Sequence, residues 1–268
     1  MHTIAAFHKE DRAHPMARSQ FILKSYVKFR VAAAEFRHRK HAPEKRLRLI
    51  WRSLSRDVAL WRLLPRLVVR NPRMCSRKKL LSIILRRNPE LNVAIRFHVP
   101  PALRQALDQH EALLFLHIHE GHRSLSSFLG HEGREHVRLG RNKENYLRKL
   151  STDGFDPALV HFVQRDEMSL LFFRDLLKLC LPICCAVDFT AEGRKQGFIS
   201  PAMFAFAMRF KVPTVFVKSS VTEAGEIQFH CQPSREATDA EASARYFIEF
   251  FNSTGTTRAE FEVRQFPG

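Results

Sequence analysis

The sequence predicts an α/β fold with a mostly parallel central sheet flanked by helices, preceded by a basic helical N-terminal part. From about residue 91, short apolar runs typical of buried strands alternate with helix-like segments. Before that point, apolar residues recur every three or four positions among many Lys and Arg. A hydrophobic content of 45%, with 10 Gly and 23 Phe, excludes wholesale disorder and argues against a Gly-rich β protein.

The charged residues are distributed unevenly along the chain. Residues 1–110 hold 25 Lys and Arg against 7 Asp and Glu, a net +18, whereas residues 111–268 hold 19 against 20, a net −1. We therefore divide the chain into a basic amphipathic helical region (1–90), an α/β domain (91–255) and a C-terminal tail (256–268). The basic part is expected to meet an anionic partner.

Helices are predicted over 17–40, 44–63 and 76–87. In the second, one stripe is apolar and carries both Trp residues, and another is basic. Tryptophan on a basic amphipathic helix suits a membrane surface, although the same stripe would equally pack on the body of the protein. Pro65 is expected to end or kink this helix. The apolar stripe is Leu47, Ile50, Trp51, Leu54, Val58 and Trp61, and the basic one is Lys45, Arg48, Arg52 and Arg56.

In the α/β domain, strands are predicted where apolar residues alternate or form short runs. Helices are predicted where apolar residues recur every three or four positions. Strands are expected at 93–99, 112–118, 135–139, 158–163, 183–189, 213–220 and 226–232. Helices are expected at 101–110, 123–129, 142–150, 167–180, 199–210 and 237–252.

The densest polar chemistry, His117-Ile-His-Glu-Gly-His-Arg-Ser124, follows the predicted strand 112–118. Open α/β sheets bind ligands at the carboxyl ends of their strands, and histidine is the usual general base near neutral pH. A second polar cluster, Asp188-Phe-Thr-Ala-Glu-Gly-Arg-Lys195, follows the strand that begins at Ile183. On its own, the second cluster would also suit an ordinary loop with solvated charges.

Taken in order, these pieces resemble the lysophospholipid acyltransferase superfamily, in particular its lipid A late (lauroyl/myristoyl) acyltransferase branch. The resemblance covers about residues 90–253. His119-Glu-Gly121 matches the family's His-x-Gly, Glu192-Gly193-Arg194 matches its Glu-Gly-basic block, and Ala202–Ala207 followed by Val212-Pro213 matches its last helix and strand. One position departs from the family: Ser124 stands where an acid normally follows the histidine.

The resemblance implies an acyltransferase that moves a fatty acyl group from a thioester donor, acyl carrier protein or coenzyme A, to a hydroxyl or amine of a lipid or lipid-like acceptor. No other cofactor is expected. His119 would be the catalytic base, and Glu120 or Asp188 would replace the missing acid, since a carboxylate stabilises the imidazolium that forms. The remaining substrate-binding positions are Gly121, Ser124, Arg138, Arg141, Glu192, Gly193 and Arg194. For Arg138 and Arg141, an exposed charged loop is the alternative.

The expected partners are an anionic membrane surface or, as the alternative for the basic helices, an acidic acyl carrier protein, together with a lipid or small-molecule acceptor. The first residues contain no apolar segment typical of a signal peptide, and no run of 18 apolar residues occurs. A cytoplasmic, peripheral location on the inner face of a membrane is therefore expected.

The sequence is also compatible with three alternatives. His117-x-His119-x-Gly121-His122 also resembles the H-x-H-x-D-H signature of the metallo-β-lactamase superfamily, with His161, Asp188 and His230 to complete a zinc shell; Gly121 replaces that signature's Asp. A basic nucleic-acid-binding protein suits the charge, but the sequence carries none of the common recognition motifs. A catalytically degenerate lipid-binding domain suits Ser124.

Overall fold

The structure is a computed structural model. It describes residues 15–68, 76–109, 112–119, 122–140, 143, 144, 146, 147, 156–164, 175–190, 197–254 and 261–264. The α-helices with both ends in these residues are α1 (Pro15–His38), α2 (Pro43–Ser55), α3 (Val58–Val68), α4 (Ser76–Arg87), α5 (Pro101–Gln109), α6 (His122–His131), α7 (Ala202–Phe210) and α8 (Ala240–Ser253), and residues 143–144, 146–147 and 175–177 are also helical. Short 3-10 helices span Pro89–Ala94 and Pro157–Leu159.

The strands form a seven-stranded sheet and a three-stranded sheet. The larger sheet has the order β1-β9-β8-β2-β5-β3-β4, and all of its pairs are parallel except β8 with β9. The smaller sheet has the order β10-β7-β6. The strands are β1 (Phe97–His98), β2 (Leu114–His117), β3 (His136–Gly140), β4 (Val160–Gln164), β5 (Ile183–Ala186), β6 (Asp188–Thr190), β7 (Gly197–Ile199), β8 (Thr214–Val221), β9 (Ile227–Pro233) and β10 (Phe261–Val263).

The predicted α/β class with a mostly parallel central sheet is confirmed. Strand alternation divides the core between the two faces of this sheet. In β2, Phe115 packs in a cluster with the helices of the N-terminal region, whereas Leu114 and Leu116 pack in the cluster that contains α7 and α8. Residues of the basic region and of the sheet therefore share one core on the first face.

Most of the apolar stripe of the predicted helix 44–63 belongs to this core and not to a membrane-facing surface; Val58, the first residue of α3, is the exception at 63% exposed. Leu47, Ile50, Trp51 and Leu54 are 0–6% exposed. The indole Nε1 of Trp51 donates a hydrogen bond to the carbonyl of Glu223, 2.8 Å away, in the turn between β8 and β9. The interpretation of this stripe as membrane-facing is thus wrong for its four residues in α2, and the alternative, packing on the body of the protein, is confirmed for them.

The same helix is divided in a place that the sequence analysis did not predict. Its two parts, α2 and α3, separate at residues 56–57, and Pro65 lies inside α3. The Oδ1 of Asp57 accepts a hydrogen bond from the backbone N–H of Leu60 at 3.0 Å, as at a helix N-terminus. A side chain that satisfies an otherwise unpaired N–H thus favours a new helix start at this point.

Further element boundaries differ from the predictions. Of the predicted strand 93–99, residues 93–94 end a 3-10 helix and residues 97–98 form β1, which pairs with β9 at the edge of the described sheet. The predicted strand 183–189 is divided, because residues 188–190 pair with β7 in the smaller sheet. The predicted helix 199–210 begins at Ala202, and β10 lies in the C-terminal tail. The predicted helices 142–150 and 167–180 lie largely outside the described residues.

None of the described helices is long and apolar enough to cross a membrane.

Candidate functional site

The strand register places residue 119 beside residue 188. β2 and β5 are parallel neighbours in the middle of the sheet, and their last pair is His117 with Ala186. The backbone N–H of Val187 then donates to the carbonyl of His117 at 3.0 Å, which extends the pairing by one step. Two residues beyond the last pair, His119 and Asp188 both emerge at the carboxyl edge of the sheet, where open α/β sheets bind ligands.

His119 and Asp188 are joined by two hydrogen bonds to one carboxylate oxygen. Oδ1 of Asp188 accepts from the backbone N–H of His119 at 2.6 Å and lies 2.8 Å from its ring Nδ1. Because a carboxylate only accepts hydrogen bonds, this contact assigns the proton to Nδ1. The lone pair of the neutral ring is then on Nε2, the arrangement that a general base requires.

The two side chains differ sharply in burial. The Asp188 side chain is fully buried, whereas the His119 side chain is 61% exposed. A buried carboxylate held by two hydrogen bonds has a fixed position, and the imidazole that it orients remains accessible from outside. The sequence analysis proposed Glu120 or Asp188 as the acid. The structure brings Asp188 to His119, and Glu120 lies outside the described residues.

His117 makes a different contact and is fully buried. Its Nδ1 lies 2.9 Å from the carbonyl of Ile118, and its Nε2 lies 2.6 Å from a guanidinium nitrogen of Arg138. These partners assign the proton to Nδ1, so Nε2 accepts from Arg138. Burial, together with the positive charge of Arg138, lowers the pKa of His117 well below its ordinary value. His117 is therefore a neutral, inward-facing residue.

Arg138 lies on β3 and is only 4% exposed, so the alternative of an exposed charged loop is wrong for this residue. The same guanidinium nitrogen that meets His117 also donates to the carbonyl of Cys184 at 3.4 Å. The ring of Tyr146 lies 5.8 Å from the guanidinium carbon, and the Tyr146 hydroxyl is 2.9 Å from Oγ of Ser126. His117, Arg138, Tyr146 and Ser126 thus form a connected chain of polar contacts.

The histidines of the zinc alternative have separate surroundings. His161 pairs with Glu135 near the amino ends of β3 and β4, and His230 contacts Ser220 on β8. Nε2 of His117 already faces a cation, which repels a metal ion. Within the described ranges, no three His, Cys, Asp or Glu side chains are placed to hold a metal ion. The structure therefore does not assemble the set His117, His119, His161, Asp188 and His230.

The remaining predicted positions are only partly described. Gly121, Arg141, Glu192, Gly193 and Arg194 lie outside the described residues. The backbone of Ser124 and that of His122 belong to the first turn of α6, which starts three residues after His119; their side chains lie outside the description.

Sequence reasoning missed the contact between His117 and Arg138, and with it Tyr146. Period-two alternation in β3 does place Arg138 on the face opposite to Val137 and Leu139. It does not identify a partner, because that depends on the order of the strands.

The sequence matches no protein-family model, and no curated protein matches it.

Proposed function

We propose that this protein is an acyltransferase of the lysophospholipid acyltransferase type. It transfers a fatty acyl group from a thioester, of acyl carrier protein or coenzyme A, to a hydroxyl or amine of a lipid or lipid-like acceptor. The observation that carries the proposal is the hydrogen-bonded pair of an exposed His119 and a buried Asp188 at the carboxyl edge of the sheet. His119 is also the first residue of the His119-Glu-Gly121 motif that resembles the family.

The proposed reaction uses His119 as the general base. Nε2 of His119 removes the proton of the acceptor hydroxyl or amine. At the same time, the oxygen or nitrogen of the acceptor attacks the thioester carbonyl carbon. The C–S bond then breaks, and the imidazolium returns the proton to the departing thiolate. Backbone N–H groups of the first turn of α6 are suitably placed in the chain to stabilise the oxyanion.

Asp188 supplies the carboxylate that the family pattern has at the position of Ser124. A serine can orient an imidazole but cannot compensate its positive charge, whereas a carboxylate does both. Oδ1 of Asp188 is 2.8 Å from Nδ1 of His119, within ordinary hydrogen-bond distance. This contact favours an active enzyme over the degenerate lipid-binding domain that Ser124 alone suggested.

The buried position of Arg138 gives it a supporting role in this proposal. Its guanidinium contacts His117, two residues before the base, so it positions the end of β2 instead of holding a substrate phosphate. Phosphate binding is left to Arg141 and Arg194. The acceptor is proposed to lie in the inner face of a membrane, with the protein bound peripherally.

Release of free thiol from acyl coenzyme A and acyl carrier protein, with and without a lysophospholipid or lipid A precursor, tests the proposed function. We expect acceptor-dependent thiol release, accompanied by an acylated product. His119→Ala is expected to lower the rate about 10²- to 10⁴-fold, the usual contribution of a general base.

His161→Ala is the matched control. His161 is also exposed and also contacts a carboxylate at 2.8 Å, that of Glu135, but near the opposite edge of the sheet. It should transfer acyl groups at the wild-type rate. If no thioester is consumed, or if His119→Ala is as active as the wild type, the proposed function is wrong.

A further inference from the structure

The N-terminal helix α1 carries two apolar faces, and only one of them is covered in the part of the chain that the structure describes. Val27, Val31 and Ala34 are 0–6% exposed and pack in the core with the other N-terminal helices. On the opposite face, Ile22, Phe29 and Phe36 are 67–68% exposed. Two Phe and one Ile on a single surface helix form a patch of the kind that marks an interaction site.

These three residues form one continuous stripe. They are spaced seven residues apart, so each lies only about 20° around the helix from the previous one. From Ile22 to Phe36 the stripe is about 21 Å long. Ala33 is also exposed and lies between Phe29 and Phe36 on the same face. A straight stripe of this length suits a flat surface better than a small pocket.

The surroundings of the stripe are cationic. α1 contains five Lys and Arg residues and one acid, Glu35, which is already paired with Arg87 of α4. Lys28 and Arg37 flank the stripe on its two sides and are exposed. The guanidinium of Arg39 lies 4.3 Å from the centre of the Phe36 ring, so a positive charge stands at the end of the stripe.

We propose that this surface, hereafter the α1 stripe, binds an anionic lipid bilayer, with α1 lying in the plane of the membrane. Phe29, Phe36 and Ile22 enter the boundary between head groups and acyl chains, while Lys28, Arg37 and Arg39 contact anionic head groups. The proposal extends the proposed function, which places the acceptor in a membrane, by assigning the docking residues to α1. The apolar stripe of α2 cannot do this, because it is buried.

Binding to vesicles without any acyl donor or acceptor tests the proposal independently of the reaction. The purified protein is sedimented with vesicles of phosphatidylcholine alone and of phosphatidylcholine with phosphatidylglycerol. We expect binding to the anionic vesicles and about 10- to 100-fold weaker binding for Phe29→Ser/Phe36→Ser. Lys28→Glu/Arg37→Glu should also weaken binding, and the remaining binding should depend less on salt.

Val93→Ser/Met208→Ser is the matched control, because these apolar residues are also exposed but lie outside α1. It should bind vesicles like the wild type. Equal binding by the wild type and by Phe29→Ser/Phe36→Ser overturns the proposal. So does a wild-type dimer that the Phe substitutions dissociate while vesicle binding stays unchanged.

Binding to DNA in place of anionic vesicles would likewise overturn the proposal. The thiol-release assay in detergent solution, run on the same variants, separates the two proposals. If a variant loses vesicle binding but releases thiol at the wild-type rate, membrane binding and the reaction are separate and the proposed reaction is retained. If the protein binds vesicles but releases no thiol, only the membrane-binding role of the α1 stripe is retained.

Discussion

At the scale of single residues, one oxygen of Asp188 fixes both the backbone and the ring of His119. The two residues are 69 positions apart, and each lies two residues beyond the end of a different strand, β2 or β5. Sequence analysis correctly placed polar chemistry at both strand ends. It could not choose between Glu120 and Asp188, because only the pairing of β2 with β5 determines which carboxylate reaches the ring.

The burial of His136 predicts how the stability of the protein depends on pH in mild acid. It is fully buried, and burial lowers its pKa from 6.5 to about 4. Between these pH values the unfolded chain binds a proton that the folded chain does not. The contribution of His136 to stability is therefore complete above pH 6.5 and is lost as the pH falls toward 4, at up to about 1.4 kcal/mol per pH unit.

His136→Met should make the free energy of unfolding depend less steeply on pH over this interval, as measured by urea denaturation at several pH values. The substitution removes one hydrogen-bond contact, that of Nδ1 with the carbonyl of Arg134 at 3.3 Å, whereas Nε2 of His136 has no partner among the described residues. His161→Gln, at an exposed site, should keep the wild-type slope. A wild-type slope in His136→Met would contradict the assignment of a neutral buried imidazole.

At the scale of elements, alternation and periodicity predicted the central strands well, because burial on both faces requires apolar residues there. The same patterns did not show which apolar stripe faces outward. The helix α2 has one apolar stripe, which the sequence made conspicuous and the fold buries. Because α1 has two opposite apolar faces, no single amphipathic face stood out in its sequence, and its exposed stripe was missed.

The contact of α2 with the turn between β8 and β9 can be tested at Gly225. Gly225 has φ of +84°, and a Cβ there would lie 2.5 Å from the ring of Trp51. Gly225→Ala should therefore combine a left-handed backbone penalty with displacement of Trp51, about 2–4 kcal/mol in all. The measurement is the free energy of unfolding from urea denaturation.

Gly133→Ala separates the two effects. Gly133 also has a positive φ, +65°, but a Cβ there would meet no atom within 4 Å among the described residues. The free energy of unfolding of Gly133→Ala should therefore fall only by the penalty for the left-handed backbone, about 1 kcal/mol. Equal losses in both variants would mean that Trp51 does not pack against this turn.

At the scale of the whole molecule, the net charge of +17 is divided between a basic part and a nearly neutral part, which have different roles in the proposed function. The basic helices cover one face of the sheet and share its core, so they are integral to the fold. Their outward surface is cationic and, along α1, also apolar. The nearly neutral α/β part carries His119 and Asp188. Charge counting predicted this division from the sequence, but not which helix face is exposed.

The most direct test of the account is a double-mutant cycle on acyl transfer with His119→Ala, Asp188→Asn and the two combined. If Asp188 acts only through the His119 ring, Asp188→Asn should lower kcat/KM by about 10²-fold or more, and the combined variant should be no slower than His119→Ala alone. Losses that multiply in the combined variant, or wild-type activity in either single variant, would contradict the proposed pair.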